Sequence, residues 1–228
     1  MDRNIALLSR HNSYIGREFA GSLINKGINF VFVQFGDYGV IDKEEESRTG
    51  GKWLPPLIEH DKKGCKVVRY KKLDSRCIDE LVSEYGITFA IQGDVGSIIS
   101  KDVIDLFSDG IVNFHPGDLP DYRGCSAPEW QILEKKSVIC TCHYLDEGID
   151  TGDIICKQQL NINLESYEGM RSSVYPVISK FMVSVVVDYL KIGRLSGSKQ
   201  YGGQYRKYIG DEKIEFIKKQ LCVRNKVC

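Results

Sequence analysis

Two polar residues, Asn113 and His115, close an apolar run and are the first candidates for chemistry. They stand in the segment Asn113-Phe-His-Pro-Gly-Asp-Leu-Pro120. An asparagine amide can donate a hydrogen bond to an oxygen that becomes negative during a reaction, and a histidine titrates near neutral pH and can move a proton. A later loop, residues 146–153, adds the carboxylate of Asp150. Amide, imidazole and carboxylate together suit an acyl-type transfer through a tetrahedral intermediate.

These residue types also have structural uses, so residue types alone leave serine-, cysteine- and metal-based chemistry open. A histidine at a strand end often has a structural role, and an aspartate in a glycine-rich loop is commonly a turn residue. The sequence lacks the Gly-x-Ser-x-Gly, His-Glu-x-x-His and P-loop motifs. No Gly-x-Gly-x-x-Gly follows the first predicted strand, which argues against an enzyme that uses NAD or FAD.

The eight cysteines are irregularly spaced, which favours reduced thiols in a cytoplasmic protein over a disulfide framework. The run Cys140-Thr-Cys142-His143 resembles half of a metal site, but zinc sites of this kind have a second pair of ligands. The alternation of Cys140, Cys142 and Tyr144 instead predicts one face of a strand. We therefore expect no bound metal.

Charge and hydropathy exclude further classes of protein. Lys and Arg together number 31, as do Asp and Glu, so nucleic acid held by bulk electrostatics is not expected. The N-terminus has no apolar signal region. The most apolar stretch, residues 181–187, is far shorter than a membrane span. We expect a cytoplasmic protein with no membrane and no nucleic acid as partner.

The elements that must position the polar residues are alternating strands and helices. Apolar runs at residues 5–9 and 30–35 flank a helical pattern over 14–26, which Gly27 is expected to cap. Such continuous apolar strands predict parallel pairing with both faces buried. Further strands are predicted at 66–70, 88–92, 111–115, 138–144 and 154–159, and further helices at 78–85, 101–107, 127–134 and 167–191. Pro176 is expected to start or kink the last helix.

The pattern as a whole predicts an α/β, Rossmann-like fold, with a mostly parallel twisted sheet, flanking helices and a short C-terminal appendage. The catalytic domain would cover residues 1–191 and the appendage residues 192–228. Ligands of open parallel sheets bind at the carboxyl ends of the strands. Asn113 and His115 stand at such an end, two residues apart and hence on one side of the strand. The polar stretch 36–64 is expected to be a long, functional surface excursion.

Several segments in the same order resemble the signature of the folate-dependent formyltransferase family. They are Ile111-Val-Asn-Phe-His-Pro-Gly-Asp-Leu-Pro-Asp-Tyr-Arg-Gly124, Ala127-Pro128 with Trp130, a strand carrying His143, and Asp146-Glu-Gly-Ile-Asp-Thr-Gly-Asp-Ile-Ile155. The resemblance covers about residues 86–160, while residues 1–85 agree only in the Rossmann-like pattern. One departure is Gly117, where many members have serine.

The resemblance implies a reaction and a set of site residues. Asn113, His115 and Asp150 would be the catalytic trio, 10-formyltetrahydrofolate the donor, and a neutral amine the attacking group. Asn113 would stabilise the oxyanion, and His115 would help to stabilise the intermediate and relay the proton. Asp150, directly or through water, would accept the amine proton and keep His115 in a useful tautomer. No covalent enzyme intermediate is implied. The folate pterin would lie against Gly96, Ser97, Ile98 and Ile99 and against Leu145, Gly148 and Ile149.

The acceptor amine is less closely defined by the resemblance. Methionyl-tRNA formyltransferases carry a substantial C-terminal domain, whereas only a short segment follows Lys191 here, so tRNA is not expected. Glycinamide ribonucleotide formyltransferases resemble this chain in length, but the turn Ser9-Arg-His-Asn-Ser13 lacks the glycine of their phosphate site. A small-molecule acceptor remains, a nucleotide-linked amino sugar, as in lipopolysaccharide O-antigen biosynthesis. Its candidate contacts are His11, Asn12, Lys52, Trp53, Tyr122 and Arg123.

Rival functions stay open beside this expectation. They are glycinamide ribonucleotide formyltransferase, a formyltetrahydrofolate deformylase that uses water in place of the amine, and a non-catalytic binding module. Deformylases resemble this core preceded by a regulatory domain, whereas the first strand here begins at Ile5. The amphipathic pattern over residues 209–221 predicts a helix that either packs on the core or forms a homodimer contact.

Overall fold

The structure, a computed structural model, describes residues 4–37 and 43–224. Its elements follow in this order: β1 (Asn4–Arg10), α1 (Tyr14–Lys26), β2 (Phe30–Phe35), α2 (Lys43–Thr49), β3 (Cys65–Tyr70), α3 (Ser75–Tyr85), β4 (Ile87–Gln92), α4 (Lys101–Ile104), β5 (Gly110–His115), β6 (Arg123–Gly124), α5 (Ala127–Leu133), β7 (Ile139–Tyr144), β8 (Ile154–Gln159), α6 (Tyr167–Ile192), β9 (Tyr205–Arg206) and α7 (Asp211–Arg224). The predicted alternation of strands and helices is confirmed, with most boundaries within a few residues.

Seven strands form one sheet in the order β3-β2-β1-β4-β5-β7-β8. The five strands from β3 to β5 run parallel, and β7 and β8 complete the sheet antiparallel. The predicted α/β, Rossmann-like fold with a mostly parallel sheet is therefore confirmed. The carboxyl ends of β4 and β5 lie side by side, because Gln92 pairs with Asn113.

Local sequence explains the first strand–helix–strand unit. Residues 5–9 of β1 and all six residues of β2 are buried, as expected for strands covered on both faces. The Ser13 hydroxyl caps α1 by accepting from the Gly16 N–H at 3.3 Å. Gly27 ends the helix in the left-handed conformation that its sequence position predicts.

Two apolar layers enclose the sheet, and α6 is the centre of one of them. Met170, Val174, Ile178 and Met182 recur every four residues on α6 and are fully buried. Pro176 lies inside this continuous helix, so it does not start the helix, and the predicted kink stays a prediction. The buried stripe on both sides outweighs the lost backbone bond. By length and composition α6 is the one helix of the described residues able to cross a membrane; here it packs against α1 and α2.

Most described residues of the 36–64 stretch are exposed, as predicted, but the stretch also contains a helix and buried side chains. It contains α2 and buries Trp53, which is 5% exposed. The Trp53 Nε1–H donates to Glu18 at 2.8 Å, and the indole stacks on Tyr175 of α6 with 5.5 Å between ring centroids. Residues 38–42 of this stretch lie outside the described residues. Trp53 is thus one of the contacts that hold the segment against α1 and α6.

The C-terminal segment from residue 193 returns to the body of the protein. Ser198 and Ile154 exchange two backbone hydrogen bonds of 2.8 Å. Strand β9 pairs in parallel with β6, the short strand that follows β5 in the chain. Helix α7 buries Ile217 and Leu221 against the core. Of the two alternatives for residues 209–221, packing on the core is the one observed, and a homodimer stays a prediction.

Candidate active site

The three predicted catalytic side chains meet at the carboxyl end of β5. Asn113 and His115 are the fourth and sixth residues of this strand, and Asp150 lies in the loop between β7 and β8. Asp150 Oδ2 lies 3.4 Å from His115 Nδ1, and Asp150 Oδ1 lies 3.5 Å from Asn113 Nδ2. The structure therefore brings together residues that are 37 positions apart in the chain.

Asp150 is a buried carboxylate held in a defined place. Its φ of 54° is left-handed, an uncommon conformation for a residue other than glycine. The Gly124 N–H donates to its Oδ2 at 2.8 Å. Burial by itself raises the pKa of Asp150, but His115, His143 and the Gly124 amide outweigh burial and lower the pKa to about 2. The group is an anion at neutral pH.

A backbone carbonyl fixes the tautomer of His115. His115 Nε2 lies 2.6 Å from the carbonyl oxygen of Tyr122. Because a carbonyl oxygen only accepts, Nε2 must carry the proton, and Nδ1 of the neutral ring faces Asp150 with its lone pair. Burial lowers the pKa of His115 below its usual value of 6.5, although Asp150 opposes the shift. The role of tautomer holder, which the resemblance gives to Asp150, belongs to the Tyr122 carbonyl.

Gly117 makes this hydrogen bond possible. A Cβ at position 117 would lie 2.5 Å from His115 Nε2 and 2.6 Å from the Tyr122 carbonyl oxygen. Both distances are far below a normal contact, so a side chain there would have to part the two groups. The departure from serine at this position therefore affects how His115 is held.

His143 is a fourth polar residue of the site that the sequence-based assignment missed. It pairs with Asn113 across β5 and β7 and is fully buried. Its Nδ1–H donates to the Tyr144 carbonyl at 2.8 Å, so Nε2 is left to accept from Asn113 Nδ2 at 3.3 Å. This contact orients the Asn113 amide with its nitrogen toward Asp150. The sequence could have indicated this residue, because strand alternation places His143 on the face opposite Cys140 and Cys142.

Two cavities meet at Asn113. The larger one has a volume of about 420 Å³ and the smaller one about 250 Å³. Both are lined by Gln92, Asn113, Gly124 and Cys125. Two ligands, one in each cavity, would therefore touch the same amide. Among the described residues, no cluster of three or more His, Cys, Asp or Glu side chains is arranged to hold a metal ion.

The smaller cavity collects the residues predicted to contact folate. Six of the seven line it: Ser97, Ile98, Ile99, Leu145, Gly148 and Ile149. Gly96 adjoins them at a φ of 73°, and its Cβ position is filled by the Arg10 side chain. Ile98 and Ile149 are 68% and 43% exposed, so two apolar side chains of the cavity lining are open to solvent.

The larger cavity is lined by charged and aromatic side chains. Arg171 is buried and donates to Glu45 and, at 3.4 Å, to Glu129. Burial alone would lower the pKa of Arg171, but the two carboxylates outweigh it and raise the pKa. Near the opening, the Arg48 guanidinium lies 5.9 Å from the ring centroid of Tyr208, which is half exposed.

The side chains predicted to bind the acceptor lie elsewhere in the described structure. His11, Asn12, Lys52, Trp53, Tyr122 and Arg123 are absent from the linings of both cavities. Trp53 does not line the larger cavity but stacks on Tyr175, which does. The Tyr122 hydroxyl donates to Glu134 at 2.7 Å, and only the Tyr122 carbonyl contacts the site, through His115. His11 and Asn12 form the turn after β1, and Arg123 begins β6.

Comparison with known proteins places the chain among related sequences. A family model described as formyl transferase matches residues 46–186, more than half of the chain. The chain is 30% identical over 185 residues to a methionyl-tRNA formyltransferase of Ruminiclostridium cellulolyticum, a match that covers 78% of this chain and 56% of that protein. The chain spans about half the length of the curated relatives it matches.

Solved structures with the same fold cover nearly the whole chain. The formyltransferase PseJ from Anoxybacillus kamchatkensis, in complex with UDP-4,6-dideoxy-4-formamido-L-AltNAc and tetrahydrofolate, aligns with a TM-score of 0.58 and 21% identity over 93% of this chain and 90% of its own. A sugar N-formyltransferase from a Shewanella species aligns with a TM-score of 0.62 and 14% identity over 97% of this chain and 88% of its own. At identities this low, these structures show that the chain shares their fold and no more.

Proposed function

Because the chain belongs to the formyl transferase family, we propose that it is an enzyme that transfers the formyl group of 10-formyltetrahydrofolate to an amine. The observation that carries the proposal is the meeting of Asn113, His115 and Asp150 where two cavities join. A transferase needs two ligands whose reacting atoms touch the same catalytic groups. The smaller cavity would hold the donor and the larger one the acceptor.

The residues present can perform the transfer without a covalent enzyme intermediate. As the neutral amine nitrogen bonds to the formyl carbon, the Asn113 Nδ2–H that His143 does not engage donates to the formyl oxygen, which becomes negative, in place of Asp150 at 3.5 Å. His115 Nδ1 accepts the proton that the amine loses, and Asp150 stabilises the imidazolium that results. The bond between the formyl carbon and folate N10 then breaks, His115 returns its proton to that nitrogen, and the product amide leaves.

The smaller cavity suits a donor whose ring packs its faces on apolar side chains while its polar edge is hydrogen-bonded. Ile98 and Ile149 offer two apolar side chains at its opening, and Tyr205 adds an aromatic ring. Residues of the 145–150 loop border the same space. A ring held between these side chains would place its formyl group beside Asn113. These contacts agree with the folate positions that the resemblance implies.

We propose a nucleotide-linked amino sugar as the acceptor. The larger cavity, of about 420 Å³, falls in the range of small-molecule sites. Its charged lining suits a polyhydroxylated ring, Arg48 suits phosphate, and the half-exposed Tyr208 offers a face to a base. Two structures of the same fold are those of sugar-modifying formyltransferases by their descriptions, which supports this choice. We also propose the cytoplasm as its location, since the cysteines of the described residues are free thiols.

A second candidate acceptor is the amino group of methionyl-tRNA. The observation that favours it is the 30% identity to a methionyl-tRNA formyltransferase. The two candidates differ physically, because tRNA binding depends steeply on salt concentration, whereas a small acceptor in a charged cavity depends on salt weakly.

The test measures the release of tetrahydrofolate by absorbance, with a panel of acceptors offered one at a time. The panel contains nucleotide-linked 3- and 4-amino sugars, glycinamide ribonucleotide, methionyl-tRNA and water alone. Turnover that requires an amino sugar supports the proposal. Turnover that requires methionyl-tRNA supports the second candidate, and equal turnover in water alone would make the protein a deformylase.

A further inference from the structure

The loop that carries Asp150 is tied down from outside the sheet by one side chain. Gln200 Nε2 donates to the carbonyl oxygens of Asp150, at 3.0 Å, and of Gly152, at 2.7 Å. Both acceptors are carbonyls, so the amide nitrogen must face them and both of its hydrogens are engaged. The loop between them is tight, because a Cβ at Gly152 would lie 1.9 Å from the Tyr144 carbonyl oxygen.

The backbone just before Gln200 is anchored to the sheet at Ser198. Ser198 exchanges two backbone hydrogen bonds with Ile154, the first residue of β8. The side-chain oxygen of Gln200 is buried and has no hydrogen-bond partner among the described residues. A buried polar atom without a partner is costly. The Gln200 side-chain oxygen thus lacks a hydrogen bond, while its nitrogen donates to both carbonyls of the Asp150 loop.

The same C-terminal segment also supports the other side of the Asp150 carboxylate. The Gly124 N–H that donates to Asp150 Oδ2 belongs to β6, which pairs with β9 at Arg206. The Cys125 N–H donates to the Arg206 carbonyl at 2.9 Å. Residues 198–206 therefore position both the backbone of Asp150 and the donor to its side chain.

We propose that Gln200 is a positioning residue for formyl transfer, which holds the Asp150 carboxylate within reach of Asn113 and His115. This inference rests on the proposed function. Asp150 lies 3.4–3.5 Å from Asn113 Nδ2, His115 Nδ1 and His143 Nε2. Asn113 donates to the carboxylate at the outer limit of a hydrogen bond, whereas the two ring nitrogens face it without a hydrogen. A movement of the loop by about 1 Å would break all three contacts, and misplacement of that size costs roughly a hundredfold in rate.

The charged and titratable groups that face His115 make the effect measurable. They are the Asp150 carboxylate from the β7–β8 loop and His143 from β7, beside the Tyr122 carbonyl. The carboxylate raises the pKa of His115, whereas burial and His143 lower it. If the Asp150 loop moves away, His115 loses the charge that favours its protonation, and its pKa falls further.

The kinetic test compares Gln200→Ala and Gln200→Glu with the wild type. Glutamate keeps the size of the side chain but has no N–H to offer the two carbonyls. We expect both variants to lower kcat by roughly ten- to a hundredfold, with KM for donor and acceptor within about threefold of the wild type. Lys199→Ala is the matched control, because Lys199 is exposed and adjacent in sequence, and it should keep the wild-type kcat.

A double variant separates positioning from a general loss of structure. In the Asp150→Asn background, Gln200→Ala should lower kcat by less than threefold further, because residues that act as a unit are not additive. A full additional loss in that background, or a wild-type kcat in Gln200→Ala, would overturn the proposal. Thermal unfolding of each variant shows that the measured protein is folded.

A titration tests Gln200 even if the protein transfers no formyl group. The pKa of His115 is followed by NMR of the histidine side chains, with His115→Ala used for assignment. Gln200→Ala should lower the pKa of His115 relative to both the wild type and Lys199→Ala. An unchanged pKa contradicts the proposal for Gln200. The absence of turnover with every acceptor contradicts the proposed function alone.

Discussion

At the scale of single residues, we propose that the Asn113 amide donates a hydrogen bond to the oxygen that becomes negative. Asn113→Ala is expected to lower kcat by about a hundred- to a thousandfold, the usual cost of one oxyanion donor, with little change in either KM. The measurement is steady-state tetrahydrofolate release. Cys125→Ser is the matched control, since Cys125 lines both cavities beside Asn113 and no covalent intermediate is needed. A large loss in Cys125→Ser would instead indicate a nucleophilic thiol.

In the proposed reaction, the protonation of His115 sets the lower pH limit of activity. Burial lowers the pKa of His115 below 6.5, and the ring must be neutral for Nδ1 to accept the amine proton. We therefore expect kcat/KM to be constant near neutral pH and to fall only below pH 6.5, as the ring becomes protonated. Asp150 opposes the shift, so Asp150→Asn should move this acid limb to still lower pH. A limb above pH 6.5 in the wild type would contradict the assignment, provided that the acceptor amine does not titrate there.

The hydrogen bond between His115 and the Tyr122 carbonyl depends on the small size of Gly117. Gly117→Ser should part the two groups, because its Cβ would lie 2.5 Å from one and 2.6 Å from the other. We expect kcat to fall at least tenfold while the protein stays folded. Gly21→Ala is the control: it has room at 3.6 Å in the interior of α1 and should leave kcat unchanged and stabilise the helix by about 0.5–1 kcal/mol. Wild-type activity in Gly117→Ser would show that the site has a second way to hold His115.

At the scale of elements, the sequence predicts strands better than contacts. Continuous apolar runs identify β1, β2 and β5, and two polar residues at the end of β5 identify the site. Helix α2 was missed because its sequence, Lys-Glu-Glu-Glu-Ser-Arg-Thr, has no apolar period. Its place depends on long-range contacts to α6, among them the bond from Arg171 to Glu45, which local patterns do not contain.

Backbone contacts and strand pairing explain the rest of what the sequence did not reveal. The carbonyl that holds His115 has no side-chain signature, so no pattern could assign it. The pairing of β6 with β9 joins residues about 80 positions apart, and Gln200 reaches Asp150 by the same return of the chain. The likeness to known sequence motifs supplied the trio because it encodes these distant contacts indirectly.

Trp53 belongs to the element scale, because the structure makes it an anchor between α1 and α6. Trp53→Ala should destabilise the protein by about 3–5 kcal/mol, as for other large core truncations, while the folded fraction keeps its KM values. Chemical denaturation measures the loss. Trp53→Phe retains most of the apolar contact but loses the hydrogen bond to Glu18, so it should cost less. A raised acceptor KM with unchanged stability would restore Trp53 as a ligand contact.

At the scale of the whole molecule, the sheet, α2, α6 and the C-terminal segment surround one junction of two cavities. The sheet supplies Asn113 and His115, and the C-terminal segment supplies Tyr205 to the smaller cavity and Tyr208 to the larger. The family match covers residues 46–186 and so includes the proposed catalytic trio. In the proposed function, the walls of the larger cavity select the acceptor.

Arg48 tests whether the larger cavity holds the acceptor. Arg48→Ala should raise KM for a nucleotide-linked acceptor by about ten- to a hundredfold, the range of a lost charge-assisted hydrogen bond, and leave KM for the folate donor unchanged. Initial rates with each substrate varied in turn give both constants. Lys52→Ala is the control, because Lys52 is exposed and lies away from both cavities. Equal effects of the two substitutions would contradict the cavity assignment.

The central claim is that the junction at Asn113 passes a formyl group from folate to an amine. The most direct measurement follows a ¹³C-labelled formyl group from 10-formyltetrahydrofolate by NMR, with a nucleotide-linked amino sugar as acceptor. We expect the label to appear as a sugar formamide in the wild type, and Asn113→Ala to form this product at least a hundredfold more slowly. Label that appears only as free formate, or no loss of label from the donor, would contradict it.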